Sequence, residues 1–120
     1  MTTTVDNSHC VQMPEDLDAR GQEAYRVIMK VLEANDATNT GGCQAFRSPK
    51  EWKARGEEYG CDSKLVVVYD GGDHGAYFSL DKSYPNYVEF EKMNDALKKI
   101  GMYAEECTCW YAAIYESRPR

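Results

Sequence analysis

A chain of 120 residues with a hydrophobic share of 42% and a charged share of 28% is sized for one domain that can bury a core without disulfides or a structural metal, and it is too apolar for wholesale disorder. Its 20 acidic against 14 basic residues give a net charge of −6, which disfavours direct nucleic-acid binding along a basic face and favours a partner that is itself basic. No window approaches the roughly 20 apolar residues that cross a bilayer, and Met1 to Gln12 has neither the basic start nor the apolar stretch of an export signal. The expected location is therefore the cytoplasm, with no membrane partner.

Met1 to Met13 is polar and without periodicity, and is expected to be a flexible tail to a single domain over residues 14–116. Pro14-Glu15-Asp16 suits the start of a first helix, whose apolar positions Leu17, Ala24, Tyr25, Ile28, Val31 and Leu32 recur at helical spacing. Gly21 costs that helix about 1 kcal/mol relative to Ala, so regular helix is expected from near Gln22. Asn35 to Gly42 has the Asn, Thr, Asp and Gly of a loop, and Cys43 to Phe46 is a candidate short edge strand. Ser48-Pro49-Lys50-Glu51 has the form of a capping box with proline at the first helical position. It predicts a short second helix with only Trp52 and Tyr59 as large apolar anchors, and hence a peripheral one.

Leu65 to Tyr69 and Ala76 to Leu80 are apolar runs separated by Asp70-Gly71-Gly72-Asp73-His74-Gly75. They predict a β-hairpin, with Phe78 and Leu80 on one face and Tyr77, Ser79 and Asp81 on the other. Its first strand is apolar on both faces, which predicts a central, covered position. Tyr87, Phe90, Met93, Leu97 and Ile100 form the stripe of a third helix, and Gly101 follows where a left-handed residue closes a helix. Cys107 to Tyr115 predicts a final strand, with Cys107 and Cys109 on one face. The expected fold is α+β: a three-stranded, mainly antiparallel sheet with room for a fourth short edge strand, packed by two to three helices.

No residues in this pattern identify a catalyst, cofactor or metal. Asp70, Asp73, His74 and Asp81 could in principle bind a metal or move a proton, but aspartate and glycine are also what turns use. Five cysteines cannot all pair within one chain, and none are spaced as structural zinc requires, so buried reduced thiols are expected. Gly71-Gly72 lacks the spacing of a phosphate loop and stands among acids. Nine tyrosines are the subtler signal, because tyrosine gives large contact area with a polar end at small entropic cost. Tyr77, Tyr84 and Tyr87 stand closest to the acids of the hairpin and third helix.

The runs Val67-Val68-Tyr69-Asp70-Gly71-Gly72-Asp73, Tyr77-Phe78 and Cys107-Thr108-Cys109-Trp110-Tyr111-Ala112-Ala113-Ile114-Tyr115 resemble small accessory proteins of phages and plasmids. Thr40-Gly41-Gly42 after a helix, with a Gly-Gly turn ahead of aromatic residues, is similar to plasmid antirestriction proteins, from which the second helix departs as an insertion. The resemblance brings no catalytic residue. It implies a stoichiometric inhibitor of a host defence system of anti-CRISPR or antirestriction type, acting by binding a basic, nucleic-acid-handling complex. The expected partner-binding surface is Asp70, Asp73, Tyr77, Asp81, Tyr84, Tyr87, Glu89 and Glu91. Two alternatives stand beside it: a small enzyme or ligand-binding domain using the Asp70, Asp73 and His74 turn, and a homo-oligomer, such as a homodimer, joined through an apolar strand face.

Overall fold

The computed structural model describes residues 8–40, 42–69, 72–78, 88–108 and 110–117. Among these, β1 (Phe46–Arg47), β2 (Leu65–Val68), β3 (Met102–Glu106) and β4 (Tyr111–Glu116) form a sheet of order β1-β2-β4-β3, every neighbouring pair antiparallel. Three helices accompany it, α1 (Ala19–Ala34), α2 (Pro49–Ala54) and α3 (Val88–Lys98). The fold is α+β as the sequence implies, with four strands.

β2 is buried at every position and β4 from Tyr111 to Ile114, which requires cover on both faces of the sheet. On one side Ala24, Ile28 and Leu32 of α1 and Met93 and Leu97 of α3 meet Phe46, Leu65, Val67, Met102, Ala112 and Ile114. On the other, the fully buried Trp52 of α2 packs with Val66, Val68 and Tyr111. Its ring lies edge-on to Tyr111 at 5.1 Å, and the Arg55 guanidinium covers it at 4.6 Å. The second helix is thus no peripheral appendage: one tryptophan makes it the lid of a second, smaller core. The cap is as the sequence implies, with the Glu51 amide donating to Ser48 Oγ at 3.0 Å. The Glu51 carboxylate turns to Arg47 at 2.7 Å.

The first helix starts at Ala19, after Pro14-Glu15-Asp16 and ahead of Gln22, because Asp18 caps it by accepting from the Gly21 amide at 2.7 Å. Gly21 is required there for a reason beyond propensity: a Cβ at this position would stand 2.4 Å from the Lys64 carbonyl oxygen. Cys10 is buried, its carbonyl accepts from the Ala45 amide at 2.8 Å, and Met13 packs on the main core. Part of the stretch expected to be a tail is therefore docked.

The predicted hairpin is corrected. Residues Asp73–Tyr77 form a 3-10 turn, and Phe78 closes it with its amide donating to the Gly75 carbonyl. Both edges of β2 are already occupied, by β1 and β4, so no place beside it remains for Ala76 to Phe78; Ser79 and Leu80 lie outside the described residues. Among the described residues the hairpin is β3 with β4. Its turn is tied by Thr108, whose hydroxyl accepts from the amides of Trp110 and Tyr111 at 3.2 and 3.3 Å. Cys107 therefore belongs to a turn, not to the final strand, while Cys109 lies outside the described residues. The Asn94 side chain of α3 accepts from the Ala104 amide at 3.0 Å, which blunts the β3 edge.

Ion pairs fasten the ends of these elements. Lys64 Nζ meets Asp18 at 2.9 Å and Glu116 at 3.3 Å, and Arg20 Nε meets Glu116 at 3.0 Å. Bonds from Lys64 and Arg20 respectively hold the carboxyls of Asp18 and Glu116 below their ordinary range.

Gly21→Ala is expected to cost about 1–3 kcal/mol despite the better helix former, because the new methyl meets backbone. Trp52→Ala is expected to cost about 3–5 kcal/mol by emptying the second core. Urea unfolding midpoints check both; an alanine at position 21 that stabilises the protein shows that helix and strand can part cheaply.

Candidate functional site

β3 alternates, with Met102 and Ala104 inward and Tyr103 and Glu105 outward. Tyr103 stands opposite Tyr115 of β4, and their rings stack with centroids 5.8 Å apart. The Tyr115 hydroxyl donates to Asp62 Oδ1 at 3.3 Å. Burial, with the Asp62 carboxylate next to it, pushes that phenol well above its ordinary value, so it remains a donor. Lys53, Glu58, Tyr59, Cys61 and Asp62 enclose the other side of Tyr115, around a shallow depression of about 380 Å³.

This end of the sheet lies on the face that α2 covers only in part. Trp52 seals Val66, Val68 and Tyr111, but a helix of six residues does not reach β3. Tyr103 and Tyr59 are 42% and 48% exposed, large values for aromatic side chains. The charge around them is acidic, with Glu58, Asp62 and Glu105 against Lys53. Glu57 beside them is paired with Arg55 at 3.5 Å. Cys107 borders the patch; burial and then the Glu105 carboxylate push its thiol up to about 11, which favours the protonated form at neutral pH.

Of the residues expected to form the partner surface, the structure describes Asp73, Tyr77, Glu89 and Glu91. Asp73 is exposed at the head of the 3-10 turn, its amide donating to the Asn39 carbonyl at 2.7 Å. Glu91 is exposed and Glu89 half-buried on α3. Tyr77 belongs to the main core, 6% exposed, and burial followed by the nearby Glu89 charge raises its phenol. It is withdrawn from the surface because its segment turns inward where an alternating strand was expected. Asp70, Asp81, Tyr84 and Tyr87 lie outside the described residues.

His74, the imidazole of the alternative reading, is fully buried, with Nε2 bonded to the Val68 carbonyl at 2.6 Å. Nδ1 has no hydrogen-bond partner among the described residues. A Cβ on Gly72 would strike the ring at 2.4 Å, so Gly72 is what lets the imidazole pack. The ring closes the end of β2 and is out of reach of a solvent ligand. Among the described residues, no group of three or more His, Cys, Asp or Glu is placed to hold a metal ion. No family model, curated protein or solved structure matches this chain.

The signal that marks the acidic tyrosine surface was present in Met102-Tyr103-Ala104-Glu105-Glu106, a period-2 alternation beside Gly101. The helix ahead of it and the strongly apolar strand after it drew the assignment away.

Burial holds the His74 pKa below its ordinary 6.5, although the Val68 carbonyl and the Asp73 charge favour the cation. The unfolded chain takes up a proton as pH falls through that value while the folded protein resists it. Stability present above about pH 6.5 is therefore lost below it, with a slope of at most about 1.4 kcal/mol per pH unit. His74→Gln, though less stable throughout, is expected to lack that slope. Asp18 and Glu116, whose pKa values are lowered, contribute a second loss only at more acid pH. Urea midpoints from neutral pH downward separate the two; an unchanged slope in the variant assigns the proton elsewhere.

Proposed function

We propose that this protein is an acidic protein-binding module that docks stoichiometrically on a basic protein surface of the kind nucleic-acid-handling complexes present. The observation that carries this reading is the Tyr103–Tyr115 stack at the uncovered end of the sheet, flanked by Glu105 and Asp62. Tyrosine supplies rigid contact area, and unpaired carboxylates at the rim steer a basic partner and set its register. The net charge of −6 speeds approach to such a partner and repels nucleic acid itself. The likeness to phage and plasmid accessory proteins makes a host defence complex, of CRISPR or restriction type, the partner class to test, with inhibition by occupancy as the mechanism.

A tagged pull-down from host lysate, with and without nuclease, tests the reading. A nucleic-acid-handling complex retained after nuclease is the expected result; loss of capture on nuclease treatment, or no enrichment, overturns it. Asp62→Lys with Glu105→Lys is expected to weaken capture at least about tenfold, since each reverses a charge facing the partner. Unfolding midpoints should stay within about 0.5 kcal/mol, as both side chains are exposed. The pair Asp73→Lys and Glu91→Lys measures the surface expected from sequence in the same assay, and loss of capture only there moves the site to that side of the molecule.

A further inference from the structure

A second surface, on the helical side, has the opposite character. α1 contributes Val27, Lys30, Val31, Ala34 and Asn35 to an open groove of about 590 Å³. α3 and the turn after it contribute Lys92, Asp95, Ala96, Lys99 and Ile100. Each set repeats the spacing i, i+3, i+4, i+7, i+8, one continuous stripe along a helix. The groove therefore runs about 12 Å between two helices, at 1.5 Å per residue.

Its floor is apolar. Val27, Val31 and Ile100 rest on the main core, and the small side chains of Ala34 and Ala96 leave the room in the groove. Its rim is basic, with Lys30, Lys92 and Lys99 against Asp95. Elsewhere Arg20, Arg47, Arg55 and Lys64 are each paired with a carboxylate, whereas Arg26, Lys50, Lys53 and Lys98 are in no ion pair among the described residues. Among the described residues none of the three groove lysines is in an ion pair, and Lys92 bonds instead to the neutral Asn35 Oδ1 at 2.7 Å. A protein of net charge −6 thus sets three lysines against one aspartate around an apolar trough.

The geometry points to a docking site for an amphipathic helix of a partner protein, its apolar stripe laid along the α1–α3 groove and its flanking Asp or Glu residues against Lys30, Lys92 and Lys99. The occupant is a helix because two parallel stripes at helical spacing receive a third in the same register. An acyl chain needs a sleeve that covers most of its surface, and this groove is open along its length. Acidic flanks follow from the rim. The site is separate from the acidic tyrosine surface and does not depend on it.

The test uses the full chain, isotope-labelled for NMR, and three helical peptides about four turns long that share a leucine stripe and differ only in flanks of Glu, Gln or Lys. The Glu peptide is expected to bind at least about tenfold more tightly than the Lys peptide, with shifts confined to 27–35 and 92–100. Lys30→Glu with Lys99→Glu is expected to invert that order. Ala34→Arg, at an exposed position, is expected to abolish binding with the unfolding midpoint unchanged. Equal binding of all three peptides, shifts elsewhere, or no binding overturns the proposal. So does laurate producing the same shifts without competition from peptide, or a second copy of the chain occupying the groove in sedimentation. Because Lys30 and Lys99 lie far from Asp62 and Glu105 in the fold, the pull-down should be indifferent to them, which keeps failure of one reading distinct from failure of the other.

Discussion

The adjacent pair β2 and β4 is the constraint on which the architecture depends. Leu65, Val66, Val67 and Val68 lie against Ile114, Ala113, Ala112 and Tyr111, and all eight are buried. Strands apolar on both faces must be taken from water on both sides, and a sheet with helices on one side only cannot do that. Two long helices cover one face. The other is closed by a six-residue helix whose tryptophan reaches the centre of the sheet, with Gly60 allowing close approach: a Cβ there would already touch Ala113 at 3.3 Å. Cover by so small an element is incomplete, and the exposed Tyr103 and the neighbouring Tyr115 occupy the part it leaves open.

The same pairing decides the fate of the glycine-rich segment. With β1 and β4 on its two edges, β2 has no hydrogen bonds left to offer a following strand, and Asp73–Tyr77 form a 3-10 turn instead. His74 then folds back to satisfy the Val68 carbonyl at the strand's end. A polar group whose obvious use is chemical serves to close a buried backbone acceptor, which costs less than leaving it unmade. The charged side chains divide in a similar way. Asp18, Lys64, Glu116 and Arg20 neutralise one another where element ends meet, while the carboxylates beside Tyr103 and the lysines of the helical groove are left to face solvent.

Much of the fold was legible from local pattern. The caps at Ser48 and the stripes of α1 and α3 follow from interactions within one turn, and the two-sided apolar character of Leu65 to Val68 announced a central strand. The hairpin was misread because strand partners are chosen by competition among segments far apart in sequence. Nothing in Ala76 to Phe78 itself says that β4 pairs there first. The burial of Tyr77 follows from the same competition. Trp52 looked peripheral because a lone tryptophan on a short helix shows no periodicity, although burial of a single large ring is worth more than the rest of that helix.

Taken alone, the sequence determined the α+β class, the three helices and the Ser48 cap, the centrality of β2 and the acidity of the molecule, because each of these rests on composition or on neighbours a few residues apart. Only the tertiary structure decided that Tyr103, Tyr115, Tyr59, Asp62 and Glu105 share one surface, that His74 is sealed inside, and that three lysines from two helices rim one groove. Those arrangements join residues up to 69 positions apart, and only the packing of the sheet between its two unequal layers brings them together.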